Sequence, residues 1–254
     1  MAIRQRALLA LLGACVSASA VAADVKVLAS GATKALVEAS ASEFESRTSN
    51  RLVVEGGTAG GVVSKALAGE TFDVVIVTQE GVDALARQGK VDPRSAQPLA
   101  RVGIGAAVRQ GAPTPSIRTA DEFRQALLGA RAIAYIDPAA GGSSGIYLSQ
   151  LFERMGIADQ VRRKAVLVNG GLVADRLVDG RADMALQQMS ELMGVPGITV
   201  LGPIPQEFQH FTTYVAAIGG ASADQAAARA LIEQLQGASA RRFAAEHGMQ
   251  APQD

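Results

Sequence analysis

Residues 132–155, AIAYIDPAAGGSSGIYLSQLFERM, decide how the rest of the chain reads. Residues 132–136 form the short apolar run of a buried strand, and Leu148, Leu151, Phe152 and Met155 recur at helical spacing. Between them lies DPAAGGSSG (137–145), a loop of small residues from which the helix starts. A helix start carries unpaired N–H groups and the positive end of the dipole, so it attracts negative charge. Gly141 and Gly142 allow close backbone approach, and Ser143 and Ser144 add neutral hydroxyl donors. The unit reads as an anion cradle. The competing reading is that one of the serines simply caps the helix.

Three further segments repeat this grammar of strand, small polar loop and helix. Residues 25–29 lead into Ser30-Gly31-Ala32-Thr33 and a helix expected over 34–47, with Leu36, Val37, Ala41 and Phe44 on its apolar face. Residues 52–54 lead into GGTAGG (56–61) and a short helix, and residues 165–168 into Asn169-Gly170-Gly171 and a helix over 172–178. Residues 73–77 are continuously apolar after Asp73, as in a strand buried on both faces. Thr119 and Glu122 form a capping box, Ser222 is expected to cap the helix that follows it, and strand 184–186 runs into Gln187-Gln188-Met189-Ser190. Alternating strands and helices with short loops predict an α/β fold with mostly parallel sheets flanked by helices. The long strands 101–109 and 211–218 flank a self-contained block and are expected to cross between two lobes. The expected division is 24–103 with 212–254 as lobe 1, and 104–211 as lobe 2.

Ahead of this lies a secretory signal over 1–23: Arg4 and Arg6, an apolar run over 7–14, then small residues to Ala23, with cleavage expected before Asp24. The apolar run is too short to span a bilayer. Leu12-Gly13-Ala14-Cys15 also resembles a lipoprotein box, so anchoring through Cys15 is the alternative to release. The chain has one cysteine, Cys15, so the mature protein holds itself by its core and not by disulfides. A periplasmic location is expected. With 24 basic and 24 acidic residues, the chain lacks the electrostatic footprint of a nucleic-acid or membrane binder. Trp is absent and aromatics make up 4%, which argues against stacking on bases or sugars.

Enzyme and metal readings are weaker. Gly141-Gly142-Ser143-Ser144-Gly145 fits G-x-S-x-G, so a secreted serine hydrolase using Ser143 is the alternative function. Residues 137–140 intervene between strand and serine, and the only histidines are His210 and His247. Two separated histidines and scattered acids offer no metal site, and no cofactor is expected. Asp73 reads as a cap or internal partner and Arg109 as a solvated strand end. The 56–61 run lacks the Gly-Lys-Ser/Thr of a phosphate loop.

In open α/β sheets, ligands sit beyond the carboxyl ends of strands, where these four loops collect. VLASGATKAL, GGTAGGVVSKALAGETFDVVIV, DPAAGGSSGIYLSQLFERMGI and VNGGLVADRLVDGRADMALQQMSEL together resemble the periplasmic substrate-binding proteins of the molybdate-binding type, with the type II binding-protein fold. The resemblance runs from Val25 to His247. It implies a two-lobed, Venus-flytrap receptor, monomeric and non-enzymatic, that hands a small anion to the membrane permease of an ABC importer. It also implies a site of neutral donors: a serine in each of the first two loops, backbone N–H groups of the third and fourth, and a tyrosine. Here Gly31 stands at the first serine, beside Ser30. Gly60 or Gly61 stands at the second, leaving Thr58 as the nearby hydroxyl, and Gln188 stands at the tyrosine. Ser143, Ser144 and Gly145 of the third loop and Asn169, Gly170 and Gly171 of the fourth keep the expected donors. The substitutions remove fixed donors and add room, so a small di- or tricarboxylate is expected over molybdate or tungstate.

Overall fold

A computed structural model describes residues 23–252. In chain order the elements are β1 (Asp24–Ser30), α1 (Gly31–Ala39), α2 (Ala41–Thr48), β2 (Arg51–Gly57), α3 (Ala59–Leu67), β3 (Val74–Thr78), α4 (Gln79–Arg87) and β4 (Gln97–Arg109). There follow α5 (Ala120–Gly129), β5 (Ile133–Ile136), α6 (Ser143–Arg154), α7 (Ala158–Arg162), β6 (Ala165–Val168), α8 (Asp175–Val178), β7 (Met184–Gln188) and α9 (Met189–Leu192). The last are β8 (Ile198–Pro203), β9 (Phe211–Ile218), α10 (Gln225–Leu235), α11 (Ala238–Glu246) and β10 (Met249–Gln250).

The strands form one curled sheet in the order β2-β1-β3-β9-β4-β7-β5-β6, with β8 and β10 also on β4. The α/β class read from the sequence is the one observed. β1 pairs parallel with β2 and β3, and β5 with β6 and β7. The ladders through β4 and β9 are antiparallel. β4 is the joint: residues 97–103 pair with β9, and residues 104–109 with β7 and β8. The sheet therefore has two halves on one shared strand. Helices cover both faces of each half. Leu36, Phe44 and Leu231 pack on one face of the first half and Val62, Leu85 and Phe72 on the other. Phe123, Leu148 and Phe152 pack on one face of the second half, with Val173, Leu177 and Leu192 opposite.

The helix expected over 34–47 starts earlier, at Gly31, and is split at Ser40. Ser40 Oγ donates to the Leu36 carbonyl, and the Ser40 carbonyl accepts from the Gln234 side chain. The helix expected over 172–178 shortens to α8 because the buried Gln187 side chain takes both the Val173 N–H and the Gly171 carbonyl. Ser222 is not a cap: its hydroxyl donates to Asp73, and Asp224 accepts from Ala227 N–H instead. Thr119 and Glu122 do form the capping box. Asp73 is an internal partner, accepting also from Lys26 N–H. The expected signal segment, apart from Ala23, and Cys15 lie outside the described residues. Among the described residues no helix is long and apolar enough to cross a membrane.

Candidate functional site

The carboxyl ends of β1, β2, β5, β6 and β7 open on one cleft between the halves, with a volume of about 450 Å³. Ser30, Gly31, Lys34, Gly57, Thr58 and Tyr214 line it from the first half, and Gly142, Ser143, Ser144, Gly171 and Glu191 from the second. Of the residues expected from sequence, Ser30, Gly31, Thr58, Ser143, Ser144 and Gly171 border this space.

Two helix starts reach the cleft unspent. α1 begins at Gly31 with Ser30 as its N-cap, and no side chain caps it. The Ser30 hydroxyl is buried and has no partner among the described residues. α6 begins at Ser143 after Gly142, again with no side-chain cap. The capping reading of Ser143 and Ser144 is thereby removed. Ser143 Oγ lies instead 3.0 Å from the Tyr214 hydroxyl. First-turn N–H groups left open on a cavity are what an anion needs.

The second loop behaves differently. Thr58 Oγ accepts from Gly61 N–H at 3.0 Å and donates to the Ala140 carbonyl of the other half. Gly60 N–H donates to the Gly141 carbonyl at 2.9 Å. A Cβ on Gly60 would stand 2.9 Å from Gly141 Cα, so the glycine is there for contact between the halves. Gly60 and Gly61, expected at the ligand, have their N–H groups taken by the protein and do not line the cleft. Gly145 is needed for packing, since a Cβ there would meet the Ile136 carbonyl at 2.1 Å. Asn169 and Gly170 sit exposed on the fourth loop, outside the cleft lining.

Gln188 is buried beneath the cleft, not in it. We orient its amide so that the nitrogen donates to the Val102 and Gly103 carbonyls at 3.0 and 3.1 Å. Its oxygen then accepts from Ser143 Oγ and Thr212 Oγ, both at 3.1 Å. Gln188 thus ties the end of β7 to the joint in β4, and offers nothing free to a ligand. The phenol in the site comes from another strand, β9: Tyr214 is buried and lines the cleft. Burial holds its hydroxyl well above the ordinary value, and the charge of Glu191 adds to this.

Glu191 is, with Tyr214, a cleft side chain that sequence reading missed. It lies in the first turn after β7, where the strand passes directly into α9 with no glycine to mark the junction. Its carboxyl lines the cleft, and its Oε1 occupies the room left by Gly31, where a Cβ would come within 2.5 Å. Glycine at 31 does not leave open space; it makes way for an acid. Burial pushes this carboxyl from 4.5 up to about 8, with a bond from Gln187 pulling the other way. Near pH 7 most of it is protonated and can donate a hydrogen bond. Lys34 lies along Gly56 at the rim, paired with Glu38. The Ser143 hydroxyl meets a phenol and an amide but no imidazole. His210 stacks on Tyr147, and His247 bonds the Phe243 carbonyl. The serine-hydrolase alternative has no base at Ser143.

A doubled α/β sheet joined through a shared strand, with helix starts facing across one cleft, is the architecture of the periplasmic-binding-protein class. The chain belongs to the bacterial extracellular solute-binding protein family, whose model matches residues 25–250. A relative from a Pseudomonas species, an aconitate isomerase, is 34% identical over 229 residues, spanning 88% of this chain and 86% of the relative. The periplasmic molybdate-binding protein of Azotobacter vinelandii superposes with a TM-score of 0.75 at 20% identity, covering 90% of this chain and 100% of that one. The sulfate-binding protein SubI of Mycobacterium tuberculosis superposes with a TM-score of 0.71 at 18% identity, over 90% and 87% of the two chains. The molybdate-binding-type resemblance read from the sequence holds at the level of the family and fold.

Proposed function

We propose that this chain captures a small di- or tricarboxylate in the cleft and presents it, outside the cytoplasmic membrane, to the permease of an ABC importer. In this reading residues 24–103 with 212–254 and residues 104–211 act as two lobes that close on the ligand. The observation that carries the reading is the pair of uncapped helix starts, α1 and α6, on opposite walls of one cleft. Two separated positive ends suit an anion whose charges are separated along a carbon frame. Glu191, protonated, adds a donor that a carboxylate ligand can accept from. The volume, about 450 Å³, suits a molecule of that size. The relative named aconitate isomerase also supports a tricarboxylate over an inorganic oxyanion.

A thermal-shift panel of trans-aconitate, citrate, tricarballylate and succinate against molybdate, tungstate and sulfate tests the reading. A ligand at 100 times its dissociation constant stabilises by about 2.7 kcal/mol. A shift with molybdate or sulfate alone would overturn it. A second reading, in which the cleft also interconverts isomers of an unsaturated tricarboxylate, is favoured by one observation: an acid with a raised pKa sits in the ligand space.

A further inference from the structure

Anion capture uses only one form of the acid in the cleft: protonated, Glu191 can donate to a carboxylate, but ionised it repels one, and a receptor gains nothing from that second form. Yet the first helix start is built around Glu191: Gly31 has no side chain, and any Cβ there would strike Oε1. The unpartnered Ser30 hydroxyl lies on the same wall. The charged and titratable groups that share the cleft with Glu191 are Tyr214 from β9 and Lys34 and Glu38 from α1. Lys34 and Glu38 are paired with each other, and Tyr214 is bonded to Ser143, so none of them holds the carboxyl.

We propose that Glu191 is the acid–base group of the cleft, carrying a proton between the two allylic carbons of a bound unsaturated tricarboxylate. The proposal rests on the carboxylate-binding reading above. In the step, ionised Glu191 takes a proton from the methylene that lies between a carboxylate and the carbon–carbon double bond. The C–H electron pair becomes a new double bond to the central carbon. The old double-bond pair moves to the far carbon and is delocalised into its carboxylate. Glu191 then returns the proton to that far carbon and is again ionised. Nothing is oxidised or reduced, and no atom is gained or lost. The open N–H groups of α1 and α6 and the Ser30 hydroxyl are placed to receive the transient negative charge. Burial makes Glu191 a stronger base than an exposed carboxylate, with a pKa near the working pH, as removal of a proton from carbon requires.

The test uses the purified chain with trans-aconitate in D2O, followed by proton NMR, with affinity measured in parallel by calorimetry. The wild type is expected to exchange methylene hydrogen for deuterium and to form the cis isomer. The rate should rise with pH through about 8 while affinity falls over the same range, since the ionised form is the base but repels the anion. Glu191→Gln should lose roughly 100-fold or more in rate, far more than it loses in affinity, and its binding should no longer depend on pH. Binding by the wild type without exchange or isomerisation overturns the proton-transfer proposal and leaves the carboxylate reading standing. No binding of any tricarboxylate overturns the carboxylate reading as well. Full activity in Glu191→Gln places the base elsewhere and also overturns the proposal.

Discussion

Replacing Glu191 with glutamine removes a titration that the structure ties to stability. Burial moves this carboxyl from 4.5 to about 8, so the folded state keeps a proton that the unfolded chain gives up. A group whose folded pKa lies above its unfolded one contributes fully below the unfolded value. That contribution is lost as pH rises through the folded value. Over this interval the full linkage, about 1.36 kcal/mol per pH unit, amounts to roughly 4–5 kcal/mol. Glu191 is partly open to the cleft, where water solvates the charge, which reduces the effect to about 2–3 kcal/mol. At about 2–4 °C per kcal/mol for a chain of this size, wild-type melting should fall by roughly 5–10 °C relative to Glu191→Gln between pH 5 and 9. The difference between the two curves cancels the other titrating groups. Asp183, held low by its bond from Arg131, loses its contribution only as pH drops below this window, and His210, pushed down by burial, is common to both proteins. Calorimetry without ligand reads the result. Curves that run parallel from pH 5 to 9 would show that Glu191 titrates as an ordinary exposed acid, and would refute the reasoning.

Gly31→Ala places a Cβ 2.5 Å from Glu191 Oε1 and should drive the carboxyl from its niche, flattening the pH dependence of ligand affinity measured by calorimetry. Ser143→Ala combined with Ser144→Ala should weaken ligand binding by roughly ten- to a hundredfold and also lower apo melting, not through a lost cap but because Tyr214 and Gln188 lose the Ser143 hydroxyl as a partner; Ser144→Ala alone should leave apo melting little changed. Gly60→Ala should force the halves apart at Gly141 and lower affinity at least tenfold without unfolding either core; small-angle scattering should show a more open molecule. Gly145→Ala, by contrast, drives a methyl into the Ile136 carbonyl and should cost about 2–4 kcal/mol of stability in denaturant titration.

The order of strands, glycine loops and helices was legible from the sequence because each element is written in nearest-neighbour terms. Apolar runs mark β3 and β5, helical spacing marks α6, and the Thr119–Glu122 box lies within one turn. From that order came the α/β class and the family. The loops were legible too, but their remaining donors were not. Whether an N–H faces a ligand depends on what the rest of the chain brings to it, and those partners are far away in sequence. Thr58 and Ala140 are 82 residues apart, and their contact is part of what closes the second loop to a ligand. Gln188 was expected where the resemblance puts a ligand tyrosine, yet the carbonyls of Val102 and Gly103 take its amide, and a phenol lines the cleft from β9, at Tyr214. Gly31 read as a missing hydroxyl; folding shows it to be the space for Glu191. Local hydrogen bonding and periodicity act over about four residues, enough to set elements and their ends. Burial of a charge is a property of everything packed around it, so the raised pKa of Glu191 exists only once both halves of the sheet have come together.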